Sequence, residues 1–173
     1  MTRAMDARHR PAHAAMDQTA PLELLFGTIP DWDRVLLIMA RMAAALLLGA
    51  LIGVQRGLMG KPAGLRTHAL VTLAAAIFTL GPIEAGMQLA DLSRVIQGIA
   101  TGIGFIGAGV ILKRHAEGEV IGITTAATIW TATGVGVTVG LGHVVLAAVG
   151  VALTWLVLAG FARVDQWTSG PGR

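Results

Sequence analysis

Long apolar runs alternate with short polar breaks over most of the chain, beginning at Val35. A helix needs about 20 mainly apolar residues to cross the hydrocarbon layer of a bilayer, within a range of roughly 17–25. Five runs meet that requirement and predict an all-α, polytopic membrane helix bundle with about five transmembrane helices. The predicted spans are Val35–Val54, Thr67–Ile83, Val95–Leu112, Val120–Leu141 and Val144–Phe161.

The last two predicted spans are separated only by Gly142 and His143, which predicts a tight antiparallel hairpin. An alternative interpretation merges or shortens one of them and leaves four spans. With five spans the chain divides into an extracytoplasmic tail over residues 1–34, a transmembrane domain over 35–163 and a short cytoplasmic tail over 164–173.

The N-terminal tail has no apolar core of the kind that marks a cleavable signal peptide. Leu22–Phe26 is predicted to form a short amphipathic turn, and Trp32 fits an interfacial anchor before the first span. His9 and His13 have the i, i+4 spacing of metal ligands, but no third ligand is near them in sequence, which favours a solvated tail.

Composition supports a membrane protein. Apolar residues make up 54% of the chain and charged residues 13%, and the mean hydropathy is +0.70, whereas soluble domains carry about 25% charged residues. The chain has no cysteine, which excludes disulfides, thiol catalysis and cysteine-based metal sites. It also lacks a Ser/His/acid constellation, an H-E-x-x-H motif and a Walker loop, so no enzyme is predicted. No aromatic-rich basic surface predicts nucleic acid as a partner.

The basic residues near the span ends predict an orientation, because cytoplasmic loops of membrane proteins are enriched in Lys and Arg. Only Arg34 and Arg94 lie near span ends on the side of the N-terminus. We therefore expect the N-terminus outside, the C-terminus in the cytoplasm, and Trp167 at the inner interface. The seven cations on the predicted cytoplasmic side are Arg56, Lys61, Arg66, Lys113, Arg114, Arg163 and Arg173.

The third predicted span is rich in glycine, which costs about 1 kcal/mol against alanine in soluble helices. Inside a bilayer, small residues instead allow helices to approach closely. Two opposite faces of this span carry glycine, which predicts a central helix and packing between subunits of a homo-oligomer. The predicted packing residues are Gly98, Gly102, Gly104, Gly107 and Gly109, together with Trp130, which is expected between helices with a partner for its N–H.

The segment Gly102–Gly107 also matches the G-x-G-x-x-G pattern of dinucleotide-binding loops. That motif functions only between a strand and a helix of a βαβ unit. Because the surrounding sequence continues as an apolar run, we favour helix packing.

Two polar features allow a cation hypothesis. Asp91 and Arg94 are spaced i, i+3, which fits an interfacial salt bridge with Asp91 as helix N-cap. The alternative makes Asp91 an oxygen ligand for a cation, with Glu84 or Gln97, because Mg²⁺ prefers one or two carboxylates and retained waters. The nearby positive charge of Arg94 opposes that alternative.

The fourth predicted span carries a threonine stripe, formed by Thr124, Thr128, Thr131 and Thr138. Threonine hydroxyls can bond within the helix or to a neighbouring helix, so helix packing is the default interpretation. Lining a polar path for a cation is the alternative. Arg41 also leaves two interpretations open, a functional charge within the membrane or a side chain that snorkels outward.

The loop after the first span contains a cationic patch of Arg56, Lys61 and Arg66, followed by His68. Anionic lipid headgroups explain such a patch. A docked protein partner explains it equally well, and the two interpretations stay open.

Between about Arg41 and Gly142 the chain carries several ordered motifs, which are Leu48–Gly53, Lys61–His68, Asp91 with Arg94, Gly102–Ile111 and Gly122–Trp130. These motifs resemble the MgtC/SapB family of bacterial inner-membrane proteins. The resemblance implies five spans with an outer N-terminus, and a role in magnesium homeostasis, growth at low Mg²⁺ and virulence in pathogens. The family is often labelled as Mg²⁺ transporters, while its best-known members look more like regulators of membrane partners, including ATP synthase.

Two departures from the family pattern bear on function. The family commonly has Glu-Arg after the first span, where this chain has Gln55 and Arg56. Longer members carry a C-terminal ACT-like domain, and this chain is expected to be a short form without it.

The expected function is therefore regulation of membrane partners in magnesium homeostasis and stress adaptation, without a resident cofactor. Mg²⁺ is then a ligand or a substrate. The alternative is a cation transporter or channel that uses Asp91 and the threonine stripe. The scarcity of acidic groups within the spans favours the regulator.

Overall fold

The computed structural model describes residues 32–113 and 120–168, with side chains for residues 32–111 and 120–161. Of these residues, 85% are helical, so the predicted all-α bundle is confirmed. A pair of two-residue strands, β1 (Leu112–Lys113) and β2 (Val120–Ile121), interrupts the helical order. The helices are α1 (Trp32–Leu58), α2 (Leu65–Glu84), α3 (Leu89–Gly109), α4 (Ile123–Gly140) and α5 (Val144–Thr168).

Four of these helices, α1, α2, α3 and α5, are long and apolar enough to cross a membrane by themselves. The helix α4 is not among the four, although it was predicted as a span. Nine of its 18 residues are buried, against two of the 21 residues in α3. Because α4 packs against α2, α3 and α5, protein covers half of its residues, and the buried Thr125, Thr133 and Gly136 are among them.

The predicted ends of the third and fourth spans are wrong. Leu112 and Val120–Ile121 are not helical, since β1 and β2 pair as antiparallel strands with Leu112 opposite Ile121. The helix α4 begins after Gly122, which has a φ of +95°. A Cβ on Gly122 would also collide with the carbonyl of Val110, so both the conformation and the space require glycine.

The predicted hairpin between α4 and α5 is confirmed, and a Schellman motif closes it. Gly142, with a φ of +92°, donates its N–H to the carbonyl of Val139 at 2.8 Å. The N–H of His143 donates to the carbonyl of Thr138 at 3.0 Å. The same arrangement ends α1 at Gly60 and α2 at Gly86.

The helix α2 lies between α1 and α4 at backbone distance, because glycines line both contacts. A Cβ on Gly53 of α1 would lie 2.5 Å from the Cα of Leu65, and one on Gly140 of α4 would lie 2.6 Å from the Cβ of Thr79. Both sets follow the four-residue spacing that lets membrane helices approach closely. The contact glycines are Gly49 and Gly53 on α1, and Gly136 and Gly140 on α4.

The glycines of α3 do not have this role within the chain. A Cβ on Gly107 would meet Ala126 at 3.8 Å, in ordinary contact, and the other four would meet nothing within 4 Å. The expectation of α3 as the central helix is therefore wrong, since α4 occupies that position. The four glycines with open space beside them are Gly98, Gly102, Gly104 and Gly109.

The apolar core joins α1, α2, α4 and α5 through small side chains, which suits helices in close contact. A smaller cluster of Ala63, Ile103 and Ile129 extends it toward the loop between α1 and α2. The core residues are Ala45, Ile52, Ala76, Ala132, Val135, Val139, Ala147 and Val151.

Candidate functional site

A buried polar cluster, here called the polar junction, lies where α1 ends and where α2 and α4 begin. Each of its side chains is at most 5% exposed. Buried polar groups are costly in a membrane bundle unless hydrogen bonds satisfy them, so a concentration of them marks a candidate site. The polar junction consists of Gln55, Arg56, His68, Thr125 and Thr128.

Arg56 is the charged residue of the polar junction and is only 2% exposed. Its Nη2 donates to Thr125 Oγ1 at 2.8 Å, while its buried Nε has no hydrogen-bond partner. The carboxylates among the described side chains, on Asp33, Glu84 and Asp91, are all exposed. Buried charges are usually paired with an opposite charge, so this guanidinium is a functional candidate by its burial alone.

Two hydrogen bonds of opposite direction join α1 to α5, and Gln55 donates one of them. Its Nε2 donates to the carbonyl of Trp155 at 3.3 Å, and the indole Nε1 of Trp155 donates to the carbonyl of Leu51 at 3.1 Å. The Oε1 atom of Gln55 is buried without a partner. The residue that departs from the family's Glu therefore contributes to helix packing through its amide N–H.

His68 is fully buried and makes contacts through both ring nitrogens. Its Nδ1 lies 3.0 Å from the carbonyl of Gly64, and its Nε2 lies 3.1 Å from Thr128 Oγ1. The Thr128 hydroxyl in turn donates to the carbonyl of Thr125 at 2.9 Å. Because a carbonyl only accepts hydrogen bonds, the Nδ1 of His68 carries a proton.

The predicted cationic patch is smaller than expected. Lys61 and Arg66 are exposed, as predicted. Arg56 and His68 are buried and are not available to lipid headgroups or to a docked protein, so their prediction as surface contacts is wrong. The reason is that α1 continues to Leu58, which carries Arg56 into the bundle. Glycine and proline lie close to Arg56 in sequence, and this local pattern does not distinguish a buried arginine at a helix end from an exposed arginine in a loop.

The structure brings the threonine stripe together at a cavity of about 290 Å³ between α4 and α5. The hydroxyls of Thr131 and Thr154 donate to the carbonyls of Ala127 and Gly150 at 2.9 and 2.7 Å. These bonds use their only protons, so their oxygens remain as acceptors. The hydroxyl residues of the lining are Thr124, Thr128 and Thr131 of α4 and Thr154 of α5, while Thr138 is not part of it.

The predicted cation residues on α3 are not brought to this cavity. Asp91, Arg94 and Gln97 are all exposed, and none of them lines the cavity. The N-cap of α3 is Gln88, so the prediction of Asp91 as N-cap is wrong. Within residues 32–111 and 120–161 there is no group of three His, Cys, Asp or Glu side chains that could hold a metal ion.

Two further predictions have structural outcomes. Trp130 is 57% exposed rather than packed between helices, and Trp155 is the tryptophan that donates across a helix contact. The guanidinium of Arg41 covers the turn at Gly142, where an added Cβ would lie 3.0 Å from its Nη2. This position at the C-terminal end of α4 suits a cation and agrees with snorkelling. The interpretations of His9, His13, Leu22–Phe26 and Trp167 fall outside the described side chains.

The fold and the polar junction define a polytopic helical membrane protein with a buried arginine. The model of the MgtC family matches residues 42–167, which include the whole polar junction. The chain belongs to the MgtC family, as its motifs predicted.

Three relatives illustrate the similarity. The chain is 39% identical over 156 residues to Protein SrpB of Synechococcus elongatus, which covers 84% of each chain. It is 46% identical over 100 residues to Protein MgtC of Salmonella typhimurium, covering 58% of this chain and 42% of that one. It is 38% identical over 128 residues to YhiD of Escherichia coli, described as a putative magnesium transporter, covering 70% of this chain and 58% of that one. No solved structure matches the chain.

Proposed function

We propose that this chain is an inner-membrane protein of magnesium homeostasis and low-Mg²⁺ stress adaptation that regulates membrane protein partners. Its membership of the MgtC family and its similarity to YhiD, a putative magnesium transporter, support the link to magnesium. The choice of a regulator over a conduit rests on the polar junction.

The observation that carries this choice is the charge of Arg56. A Mg²⁺ ion at roughly 6 Å from a guanidinium is repelled by about 5 kcal/mol at an effective dielectric constant of 20. Among the described side chains no buried carboxylate offsets that repulsion. A helix bundle with this buried positive charge is poorly suited to conducting a divalent cation. It is compatible with a protein that acts by contact with a partner.

The exposed Lys61 and Arg66 beside the α1–α2 loop supply a surface for such contact. With the N-terminus outside and the C-terminus in the cytoplasm, as the basic residues predict, this surface faces the cytoplasm. ATP synthase, which the family resemblance implies as a partner, is the first candidate to test.

Reconstitution into liposomes tests the choice between regulator and conduit. We expect Mg²⁺ uptake under a concentration gradient to equal that of protein-free vesicles. Uptake that the wild type supports and that Asp91→Ala abolishes would overturn the regulator proposal.

Affinity capture from native membranes tests the contact surface. We expect a stoichiometric membrane protein to be recovered with the wild type and lost with the double variant Lys61→Glu and Arg66→Glu. Arg94→Glu, at the opposite end of the bundle, is the matched control and should retain the partner. Recovery of lipid alone with the wild type would refute the partner proposal.

The cavity between α4 and α5 supports cation transport as a second candidate, because its threonine oxygens remain free to accept. If the liposomes take up Mg²⁺ or a monovalent cation, Thr131→Val should reduce the rate. Thr138→Val, which lies outside the cavity lining, should leave the rate unchanged.

A further inference from the structure

The hydrogen bonds around His68 depend on how many protons the polar junction holds. The contacts of His68 with Gly64 and Thr128, and of Thr128 with Thr125, all lie between 2.9 and 3.1 Å. The Thr128 hydroxyl has a single proton to donate. In the neutral imidazole it can donate to the Nε2 of His68 or to the carbonyl of Thr125, but not fully to both.

Protonation of His68 removes this conflict. The Nε2–H then donates to Thr128 Oγ1, and the Thr128 hydroxyl donates to the carbonyl of Thr125. All three hydrogen bonds are therefore complete only when both ring nitrogens carry protons. The geometry accommodates both charge states, with the direction of the Thr128 hydroxyl as the difference between them.

The position of Thr128 offers a route for the proton. Thr128 contacts His68 on one side and lines the cavity between α4 and α5 on the other. A hydronium ion in that cavity can transfer a proton to Thr128 Oγ1 while the original hydroxyl proton passes to Nε2. The hydronium becomes water, the threonine stays neutral, and the positive charge resides on the imidazole.

We propose that His68 is a proton-binding site inside the bundle, loaded from the α4–α5 cavity through the Thr128 hydroxyl. This inference goes beyond the proposed function, because it requires neither magnesium nor a protein partner.

The charge added at His68 acts on the same helix ends as Arg56. Thr125 accepts from Arg56 through its hydroxyl and from Thr128 through its carbonyl, so Thr125 links Arg56 to Thr128, the hydrogen-bond partner of His68. The helix α4 carries no titratable side chain, and those described on α3 lie at its far end, at Asp91 and Arg94. The charged groups described around His68 are Arg56 of α1, the exposed Lys61 of the α1–α2 loop and the exposed Arg66 of the first turn of α2.

Nitrogen NMR of the histidine-labelled full chain in detergent micelles tests the proposal. At about pH 8 we expect the signals that His68→Gln removes to be those of the neutral Nδ1–H tautomer. As the pH is lowered from about 8, the same ring should become doubly protonated while the chain stays folded. Observation of the Nε2–H tautomer, or unfolding before this ring takes up a proton, would overturn the proposal.

Two threonine variants distinguish proton transfer through Thr128 from a general effect of changing the cavity lining. Thr128→Val removes the hydroxyl that contacts His68 and should move the titration midpoint by about half to one pH unit, the equivalent of one hydrogen bond. Thr131→Val lines the same cavity without contacting His68 and should leave the midpoint unchanged. Equal shifts in the two variants, or none in either, would refute the role of Thr128.

Discussion

At the scale of a single residue, burial of the Arg56 guanidinium has a free-energy cost that its neighbours in the fold do not offset. Its guanidinium is buried with one hydrogen bond to a side chain and with Nε unsatisfied. Sequence alone identified the residue but assigned it to a surface patch, because a short arginine-containing segment between two spans fits a loop or a helix end. Its burial depends on where α1 ends and on the position of Thr125 in a distant helix.

Replacement of Arg56 by methionine should separate stability from function. Replacing a buried ion pair by apolar side chains of similar volume is often neutral or stabilising by about 1–4 kcal/mol. Among the described side chains no buried carboxylate accompanies Arg56, so its removal leaves no opposite charge unpaired. We therefore expect Arg56→Met to melt in detergent at the same or a higher temperature than the wild type. Under the proposed function, the variant should also fail to support growth at low Mg²⁺.

The exposed Arg66 provides the control, since Arg66→Met should leave melting unchanged. A lower melting temperature for Arg56→Met, by the equivalent of about 3 kcal/mol, would show that the guanidinium is mainly structural.

The arrangement of the helices depends on which glycines meet a neighbour. Gly49 and Gly53 on α1, and Gly136 and Gly140 on α4, bring their helices to the backbone of α2. The spacing of glycines in α1, α3 and α4 indicates that each helix can be approached closely by another. It does not indicate which of them has such a neighbour, and for this reason the prediction of a central α3 is wrong.

Two glycine substitutions distinguish contacted from open positions. A Cβ on Gly49 would lie 2.6 Å from the carbonyl of His68, so Gly49→Ala should destabilise the bundle by about 1–3 kcal/mol. A Cβ on Gly104 meets nothing within 4 Å, so Gly104→Ala should be neutral or stabilising by up to about 1 kcal/mol. Thermal unfolding in detergent measures both, and equal effects would contradict the observed packing.

The contact between α1 and α5 rests on the hydrogen bonds of Gln55 and Trp155. Trp155→Phe retains an aromatic ring but removes the donor to Leu51, so it should cost about 1 kcal/mol of unfolding free energy. Trp130 is mostly exposed, and Trp130→Phe should leave stability unchanged in the same melting experiment. A larger loss in Trp130→Phe than in Trp155→Phe would reverse the assignment of these two residues.

At the scale of the whole molecule, an apolar groove of about 520 Å³ lies between α2, α3 and α4, and Gly98 and Gly102 line it. The predicted homo-oligomer places the glycine face of α3 against a second copy. The absence of cysteine from the chain makes this simple to test by introducing single cysteines.

The predicted contact brings the α3 glycine faces of two copies together, and a disulfide requires Cβ atoms about 3.5–4.5 Å apart. Oxidation of Gly98→Cys or Gly102→Cys in native membranes should therefore produce disulfide-linked dimers. Leu146→Cys, on the exposed surface of α5, should remain monomeric on a non-reducing gel. Dimers with Leu146→Cys and none with the α3 variants would place the subunit contact elsewhere.

By itself the sequence determined the features that depend on local composition. Within the described residues, the presence and approximate bounds of the helices follow from the apolar runs, and the sharp turn at Gly142 follows from a glycine between two such runs. The family follows from several ordered motifs. These features can be predicted without knowing which helices are in contact, because the surrounding lipid or water and the neighbouring residues in sequence determine them.

Only the tertiary structure decided which polar groups are buried together. Arg56, His68 and Thr125 are far apart in the chain, and their contacts arise because close-packed glycines set the positions of α1, α2 and α4. The polar junction is thus a property of three helices. A hydrogen bond between distant residues depends on distance and orientation, which no pattern along the chain specifies.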